Sequence, residues 1–218
     1  MDSAQARNRM VDEQIANRGV HDPAVLQAMR TVPREAFVSG DLVELAYDDR
    51  PLPIAKGQTI SQPYVVGAML AAAGLERGHK VLEVGAGSGY AAAVISRIVA
   101  QVFAIERHAT LTEAARKRMQ ALDYANVELK TGDGSGGWLD QAPFDAIIVS
   151  AGGPRIPQPL KAQLAVGGRL VMPVGPVDKQ MLMRLTRTAE SSFLQDELVA
   201  VRFVQLIGAG EKETPAPT

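Results

Sequence analysis

The segment VLEVGAGSGY contains a glycine-rich turn of the kind that binds ligands. Gly85, Gly87 and Gly89 occupy alternate positions between a short apolar run and a helical pattern. Glycine permits a tight turn and lets a ligand approach the main chain where a Cβ would collide, and the helix start that follows offers unpaired N–H groups. The G-x-G-x-G spacing differs from the G-x-G-x-x-G of dinucleotide sites, so we expect the ligand to lie flat over the loop. Such turns also occur without a ligand, so the neighbouring segments must indicate whether this turn is a binding site.

Carboxylates end or follow the next two apolar runs. Glu106 ends QVFAIE, where a carboxylate can accept both hydrogen bonds from a ribose diol. Asp133 and Gly134 follow the next run, and the acid could accept from an exocyclic amino group such as that of adenine, although a lone Asp-Gly pair is usually a turn. The carboxyl ends of parallel strands meet at one edge of a sheet, which is where open α/β sheets bind ligands. Together these features predict a nucleoside site.

Two further polar residues have alternative interpretations. Glu83 lies inside the apolar run KVLEV, and a buried carboxylate is rare unless it is paired or functional. It either serves the site directly or holds the loop amides as a structural acid. Ser61 precedes Gln62, Pro63 and a helical pattern, so spacing alone favours a helix N-cap. A functional hydroxyl is the alternative, and the two roles are compatible.

Apolar runs and helical patterns alternate through most of the chain. Helices are predicted at residues 3–18 and 22–32, then a loop-rich stretch to residue 63, then strands and helices in alternation from residue 80. The closing runs QMLMRLTRT and LVAVRFVQLIG predict an antiparallel pair at the sheet edge. The pattern indicates an α/β fold with a doubly wound, mostly parallel sheet and N-terminal helices. We expect one domain over residues 1–210, divided into an N-terminal helical and lid region (1–63) and a ligand-binding sheet (64–210), with a disordered tail at 211–218.

Composition excludes several classes of partner. Lys and Arg total 23 against 24 for Asp and Glu, so no strong field recruits nucleic acid or an anionic membrane. There is no cysteine, which rules out a disulfide framework, a thiolate metal site and a Cys nucleophile. No apolar run reaches the ~18 residues of a membrane span. The three histidines, His21, His79 and His108, have no ligand spacing and are predicted to be surface residues. We expect a cytoplasmic protein without a metal.

Several motifs resemble one family. PLPIAKGQTISQPY, VLEVGAGSGY, GDGSGGW and APFDAIIVSAG, together with MVDEQIANRGV and VPREAFV, closely resemble the protein-L-isoaspartate O-methyltransferases. The similarity runs from about residue 7 to residue 207. The GQTISQP block is highly specific, whereas the glycine loop alone would indicate only a class I S-adenosylmethionine-dependent methyltransferase with a Rossmann-like fold.

The resemblance implies a role for each part of the site. Ser61 would be the active-site serine, and the substrate would be held by Thr59, Ile60, Gln62 and Gln205. S-adenosylmethionine would contact Gln58, Thr59, Glu83, Gly85, Gly87, Ser88, Gly89, Glu106, Arg107, Asp133 and Gly134. The implied partners are isoaspartyl proteins and peptides, and the implied state is a monomer. Lys56, Gly152, Gly153 and Gln205 depart from the usual family pattern near the expected peptide groove.

The chemistry agrees with this hypothesis. A carboxylate with a pKa of ~3.9 is already ionised at neutral pH, so its methyl esterification needs neither a catalytic base nor a metal. The enzyme must hold the nucleophile in line, an orientation effect that can contribute ~7 to 11 kcal/mol. Two alternatives remain: a class I methyltransferase that acts on another carboxylate or small molecule, and a catalytically silent module that binds the cofactor or damaged peptides.

Overall fold

The computed structural model describes residues 2–208 of the chain. Within them the α-helices are α1 (Ser3–Arg9), α2 (Pro23–Thr31), α3 (Pro63–Ala73), α4 (Tyr90–Ser96), α5 (Ala109–Ala121) and α6 (Gln158–Ala162). The strands are β1 (Leu52–Pro53), β2 (Thr59–Ile60), β3 (Lys80–Val84), β4 (Gln101–Glu106), β5 (Val127–Thr131), β6 (Phe144–Val149), β7 (Leu164–Val174), β8 (Gln180–Ala189) and β9 (Ser192–Val201). None of the described helices is long and apolar enough to cross a membrane.

Seven strands form one sheet in the order β5-β4-β3-β6-β7-β8-β9. The first five strands in this order are mutually parallel, whereas β8 is antiparallel to β7 and β9 is antiparallel to β8. This confirms the predicted mostly parallel sheet with an antiparallel edge pair. From β3 the chain proceeds outward to β4 and β5, and then returns to β6 on the other side. The strand order therefore reverses between β3 and β6, which is where open α/β sheets have their ligand crevice.

Each face of the central strands packs into a separate hydrophobic core, because successive side chains point to opposite faces. Val81 and Val102 pack with helices α2, α3 and α4, whereas Leu82 and Phe103 pack on the other face. That second core includes Trp138, whose ring meets Phe103 edge-to-face at 5.4 Å between centroids. The sheet is thus covered on both sides, as the continuous apolar strands predict.

The N-terminal helices begin and end near the predicted positions. α1 continues as a π-helical turn (Met10–Ile15) and a 3₁₀ turn (Ala16–Arg18), and the segment ends at Gly19 with φ 95°. The Asp22 carboxylate accepts from the N–H groups of Ala24 and Val25, so it caps α2 as predicted.

The end of the chain differs from the prediction. The last strand is predicted over residues 198–208, but β9 runs from Ser192 to Val201. The chain then leaves the sheet and crosses to the end of β6, where the Gly152 N–H donates to the Val204 carbonyl at 2.8 Å and the Leu206 N–H donates to Gly152 at 2.7 Å. The apolar character of residues 203–207 reflects this crossing, since Leu206 packs on the second core. The division into a lid region and a sheet stays a prediction, and the predicted tail lies outside the described residues.

Candidate active site

A cleft opens at the carboxyl ends of β3, β4 and β6, at the point where the strand order reverses. Its empty volume is about 540 Å³. Most of the residues predicted to hold the cofactor border it, together with residues that the sequence did not indicate. The lining consists of Gln58, Thr59, Val84, Gly85, Gly87, Ile105, Glu106, Arg107, His108, Gly134, Ser150, Ala151, Val204, Gln205, Leu206 and Ile207.

Two glycines of the loop border the cleft, whereas the third is required by helix packing. Gly85, Gly87 and Gly89 have φ of 86°, 53° and 87°, a left-handed conformation that favours glycine. The first two border the cleft. Gly89 instead begins α4, and a Cβ there would lie 2.6 Å from Cε of Met119 on α5. Ser88 is buried, and its Oγ accepts from the Tyr90 N–H at 3.3 Å. Gly89 and Ser88 therefore shape the loop without bordering the cleft.

Glu106 is fixed by main-chain donors on both oxygens. Its Oε2 accepts from the Gly87 N–H at 2.9 Å and its Oε1 from the His108 N–H at 2.9 Å. Each carboxylate oxygen has two acceptor sites, so each retains one for a ligand in the cleft. The side chain is only 5% exposed, which keeps competing water away. The arrangement suits a ligand with two adjacent hydroxyl groups.

Glu83 lies beneath the cleft and contacts it through Ser150. The carboxyl is 1% exposed and does not border the cleft. The Ser150 hydroxyl donates to its Oε1 at 3.4 Å, and its buried Oε2 has no partner among the described residues. Burial raises the pKa of Glu83 to about 8, the Ser150 hydrogen bond lowers it, and the negative charge of Glu106 raises it. Glu83 is therefore mostly protonated at neutral pH.

Replacing Glu83 by glutamine is expected to flatten the pH dependence of stability. The unfolded chain releases this proton near pH 4.5, whereas the folded protein holds it to about pH 8. The stability that Glu83 contributes is therefore complete below pH 4.5 and is lost as the pH rises to about 8, a change on the order of 5 kcal/mol. Urea unfolding at pH 5, 7 and 9 measures it. Glu128→Gln, at an exposed site on β5, should keep the wild-type slope, and a wild-type slope in Glu83→Gln would contradict the expectation.

The loop after β5 contributes a glycine rather than its acid. Gly134 borders the cleft, and any side chain there would collide with Cγ1 of Val84. Asp133 is exposed and does not border the cleft, and its carboxylate accepts from the Ser135 N–H at 2.8 Å and from the Ser135 hydroxyl at 2.7 Å. Its position suits a capping role for the 3₁₀ turn at Gly134–Gly136.

The structure adds residues to the site and corrects one prediction. His108 is not simply a surface residue, because it borders the cleft and its buried Nε2 has no partner among the described residues. The usable signal is its place two residues after the acid that ends β4. Ser150 likewise follows β6 at the same sheet edge. The family resemblance indicates Gln205, but nothing local marks its neighbours Val204, Leu206 and Ile207, which reach the cleft through the crossing to Gly152.

A groove with an empty volume of about 980 Å³ adjoins the cleft and includes Ser61. The two cavities share Thr59, Ser150 and Val204. Of the residues predicted to hold the substrate, Gln62 borders the groove and Gln205 borders the cleft. The groove is lined by Pro51, Thr59, Ser61, Gln62, Val65, Ser150, Ala200, Val201, Arg202, Phe203 and Val204. Ile60 borders neither cavity, because its side chain is 3% exposed and packs in the first core.

Ser61 does not cap α3, contrary to the interpretation that spacing favours. Gln62 occupies the N-cap position, and the Tyr64 N–H at the helix start donates to Asp49 Oδ1 at 3.1 Å. Asp49 also accepts from the Gln62 side-chain amide at 2.6 Å. An acid from a distant loop thus supplies the cap. Within residues 2–208 the Ser61 hydroxyl has no hydrogen-bond partner.

Comparison with known proteins identifies relatives along nearly the whole chain. The family profile described as protein-L-isoaspartate(D-aspartate) O-methyltransferase matches residues 5–211. A protein-L-isoaspartate O-methyltransferase of Methylorubrum extorquens is 58% identical over 206 residues, covering 94% of this chain and 90% of that protein. Protein-L-isoaspartate O-methyltransferase 1 of Rhodopseudomonas palustris is 57% identical over 206 residues, covering 94% of this chain and 84% of that protein.

Solved structures agree in fold. A protein-L-isoaspartate O-methyltransferase superposes with a TM-score of 0.84 at 27% identity, covering 93% of this chain and 66% of that chain. A structure from Plasmodium falciparum, in complex with S-adenosyl-L-homocysteine, superposes with a TM-score of 0.80 at 24% identity, covering 92% of this chain and 98% of that chain. The fold of this chain thus has experimental counterparts.

Proposed function

The chain belongs to the protein-L-isoaspartate O-methyltransferase family, and we propose that its cleft and groove together perform the family's reaction. This reaction transfers a methyl group from S-adenosylmethionine to the free carboxyl of an isoaspartyl residue in a damaged protein. The main-chain amide nitrogen that follows the damaged residue then attacks the ester carbonyl, methanol leaves and a succinimide forms, which starts repair. The observation that carries the proposal is the shared wall, in which Thr59 and Ser150 border both the cleft and the groove with Ser61.

The residues of the cleft fit a cationic nucleoside cofactor. Glu106 presents free acceptor sites on a fixed carboxylate, as a ribose diol requires. Gly85 and Gly87 leave room where a Cβ would stand. We propose that Glu106 binds the ribose, that the glycine loop holds the methionine part, and that Gly134 borders the adenine. When bound, S-adenosylmethionine supplies an electrophilic methyl group on a sulfonium.

The groove would orient the acceptor. The isoaspartyl carboxyl is ionised at neutral pH, so the protein need not remove a proton. The Ser61 hydroxyl, which has no hydrogen-bond partner in the described part of the chain, can donate to one carboxylate oxygen and leave the other free to attack. A neutral donor suits this task because a cation would pair with the carboxylate and lower its nucleophilicity. Thr59, in the shared wall, lies where acceptor and cofactor would meet.

We propose three further properties. Residues of one chain border both cavities, which supports an active monomer. The absence of cysteine from the sequence is in keeping with a cytoplasmic location. A net charge of −1 favours peptide partners over nucleic acid.

A paired substrate assay tests the proposal. The protein is incubated with S-adenosylmethionine labelled on the methyl group and with two peptides that differ only in an isoaspartyl or an aspartyl residue. We expect base-labile methyl ester on the isoaspartyl peptide alone. Equal labelling of both peptides would indicate a general carboxyl methyltransferase, and labelling of neither would contradict the proposed reaction.

A further inference from the structure

The turn that contains Ser61 accepts a hydrogen bond from a buried arginine, Arg34. Arg34 is 0% exposed and belongs to the 3₁₀ turn at Arg34–Phe37. Its Nη2 donates to the main-chain carbonyl of Ser61 at 2.9 Å, and its Nε donates to the carbonyl of Ala46 at 2.7 Å. One planar guanidinium thus joins the Ser61 turn to the chain at Ala46.

The cost of burying this cation argues for a specific role. Arg34 makes no ion pair within the described residues, and its buried Nη1 has no hydrogen-bond partner there. Its guanidinium carbon lies 4.8 Å from the centre of the Tyr90 ring. Because burying a charge without an ion-pair partner is unfavourable, an apolar side chain would serve packing alone better. The hydrogen bond to Ser61 offers a reason for the arginine.

The Ser61 carbonyl is an effective point from which to control the side chain. A peptide unit is planar, so fixing the direction of this carbonyl fixes the torsion between the Cα and carbonyl carbon of Ser61. The main chain then sets the direction of the Cβ, and the direction of the hydroxyl depends on one side-chain torsion. On the other side of the turn, Asp49 accepts from the Gln62 side chain and the Tyr64 N–H. Asp49 therefore anchors the start of α3, whereas Arg34 contacts Ser61 itself.

We infer that Arg34 is a positioning residue for methyl transfer, which acts by fixing the main chain of Ser61 so that its hydroxyl stays in the groove. The inference rests on the role of Ser61 in the proposed function. Arg34 itself borders neither the cleft nor the groove, so its effect reaches the acceptor only through the turn. It should therefore alter turnover of the isoaspartyl peptide and leave cofactor affinity nearly unchanged.

A double-mutant cycle between Arg34→Met and Ser61→Ala tests the inference. Methionine fills much of the same space without donors. We expect Arg34→Met to lower kcat about tenfold in the wild-type background and less than about twofold in the Ser61→Ala background, because the two residues act as one unit. Cofactor affinity and thermal unfolding, measured on each variant, show that it is folded. Arg34→Lys keeps the charge and can still donate to one of the two carbonyls, so it should recover part of the lost kcat. It replaces Arg34→Met in the cycle if the methionine variant does not fold.

Arg169→Met is the matched control. Arg169 also donates to a main-chain carbonyl, that of Ala73 at 3.4 Å, but at the opposite end of α3. This variant should change kcat less than about threefold and by the same factor in both backgrounds. If Arg34→Met is as damaging with Ser61→Ala as without it, the inference is overturned while the role of Ser61 stands. If Ser61→Ala itself leaves kcat unchanged, the premise fails and the inference with it, which is a distinguishable result.

Discussion

Replacing Glu106 by alanine is expected to weaken the binding of S-adenosylmethionine by about 10²- to 10⁴-fold, since the two hydrogen bonds from the ribose to a charged acceptor contribute ~1.5 to 3 kcal/mol each. Two effects combine. The cleft loses the acceptor proposed for the ribose, and the N–H groups of Gly87 and His108 lose their partner. The glycine loop should therefore loosen at the point where it borders the cleft. Isothermal titration calorimetry with the cofactor measures the change.

Two variants separate these effects. Glu106→Gln keeps the size and one acceptor oxygen, so we expect a smaller loss of affinity than in Glu106→Ala. Glu128→Ala removes an exposed acid from β5 and controls for the change in net charge. It should bind the cofactor as the wild type does. Equal affinities in Glu106→Ala and Glu128→Ala would remove Glu106 from the cofactor site and leave it as a loop anchor only.

The sheet-edge part of the site can be predicted from the sequence because its positions follow from strand order. Each apolar run ends at the carboxyl edge of the parallel sheet, so residues that follow different strands meet without any knowledge of side-chain packing. Gly85, Gly87 and Glu106 border the cleft for this reason. Gly134 does so too, at the end of β5. Helix signals such as Asp22 and Gly19 are equally local, and they are confirmed.

The rest depends on contacts between distant segments. Spacing assigns the cap of α3 to Ser61, but Asp49 supplies it from 15 residues before Tyr64. Gly89 reads as a ligand residue, although what excludes a side chain there is Met119 on another helix. Gln205 enters the cleft because its segment crosses to Gly152. A pattern in one stretch of chain carries no information about which distant stretch will pack against it, so these assignments need the fold.

Because Asp49 rather than Ser61 caps α3, the role of the Ser61 hydroxyl in catalysis can be tested separately from helix stability. Replacing Ser61 by alanine is expected to lower kcat for an isoaspartyl peptide by about 10- to 100-fold, the value of one hydrogen bond from a neutral donor to a charged acceptor. Cofactor affinity should change less than about twofold, because Glu106 and the glycine loop border the cleft on the other side of the shared wall. Steady-state kinetics with labelled cofactor, alongside calorimetry, measures both quantities.

Stability then distinguishes a catalytic hydroxyl from a structural one. Because Asp49 already accepts from the Tyr64 N–H at the start of α3, Ser61→Ala should leave the thermal midpoint unchanged. A lost N-cap would instead cost about 1 kcal/mol. Asp49→Ala, which removes the capping acceptor, should show such a loss, and Ser39→Ala, at an exposed serine without a capping bond, should change neither kcat nor stability. If Ser61→Ala loses stability like Asp49→Ala while kcat falls no further than that loss explains, Ser61 is a structural residue, and the carboxylate must be oriented by another donor in the shared wall, of which Thr59 is the nearest in the chain.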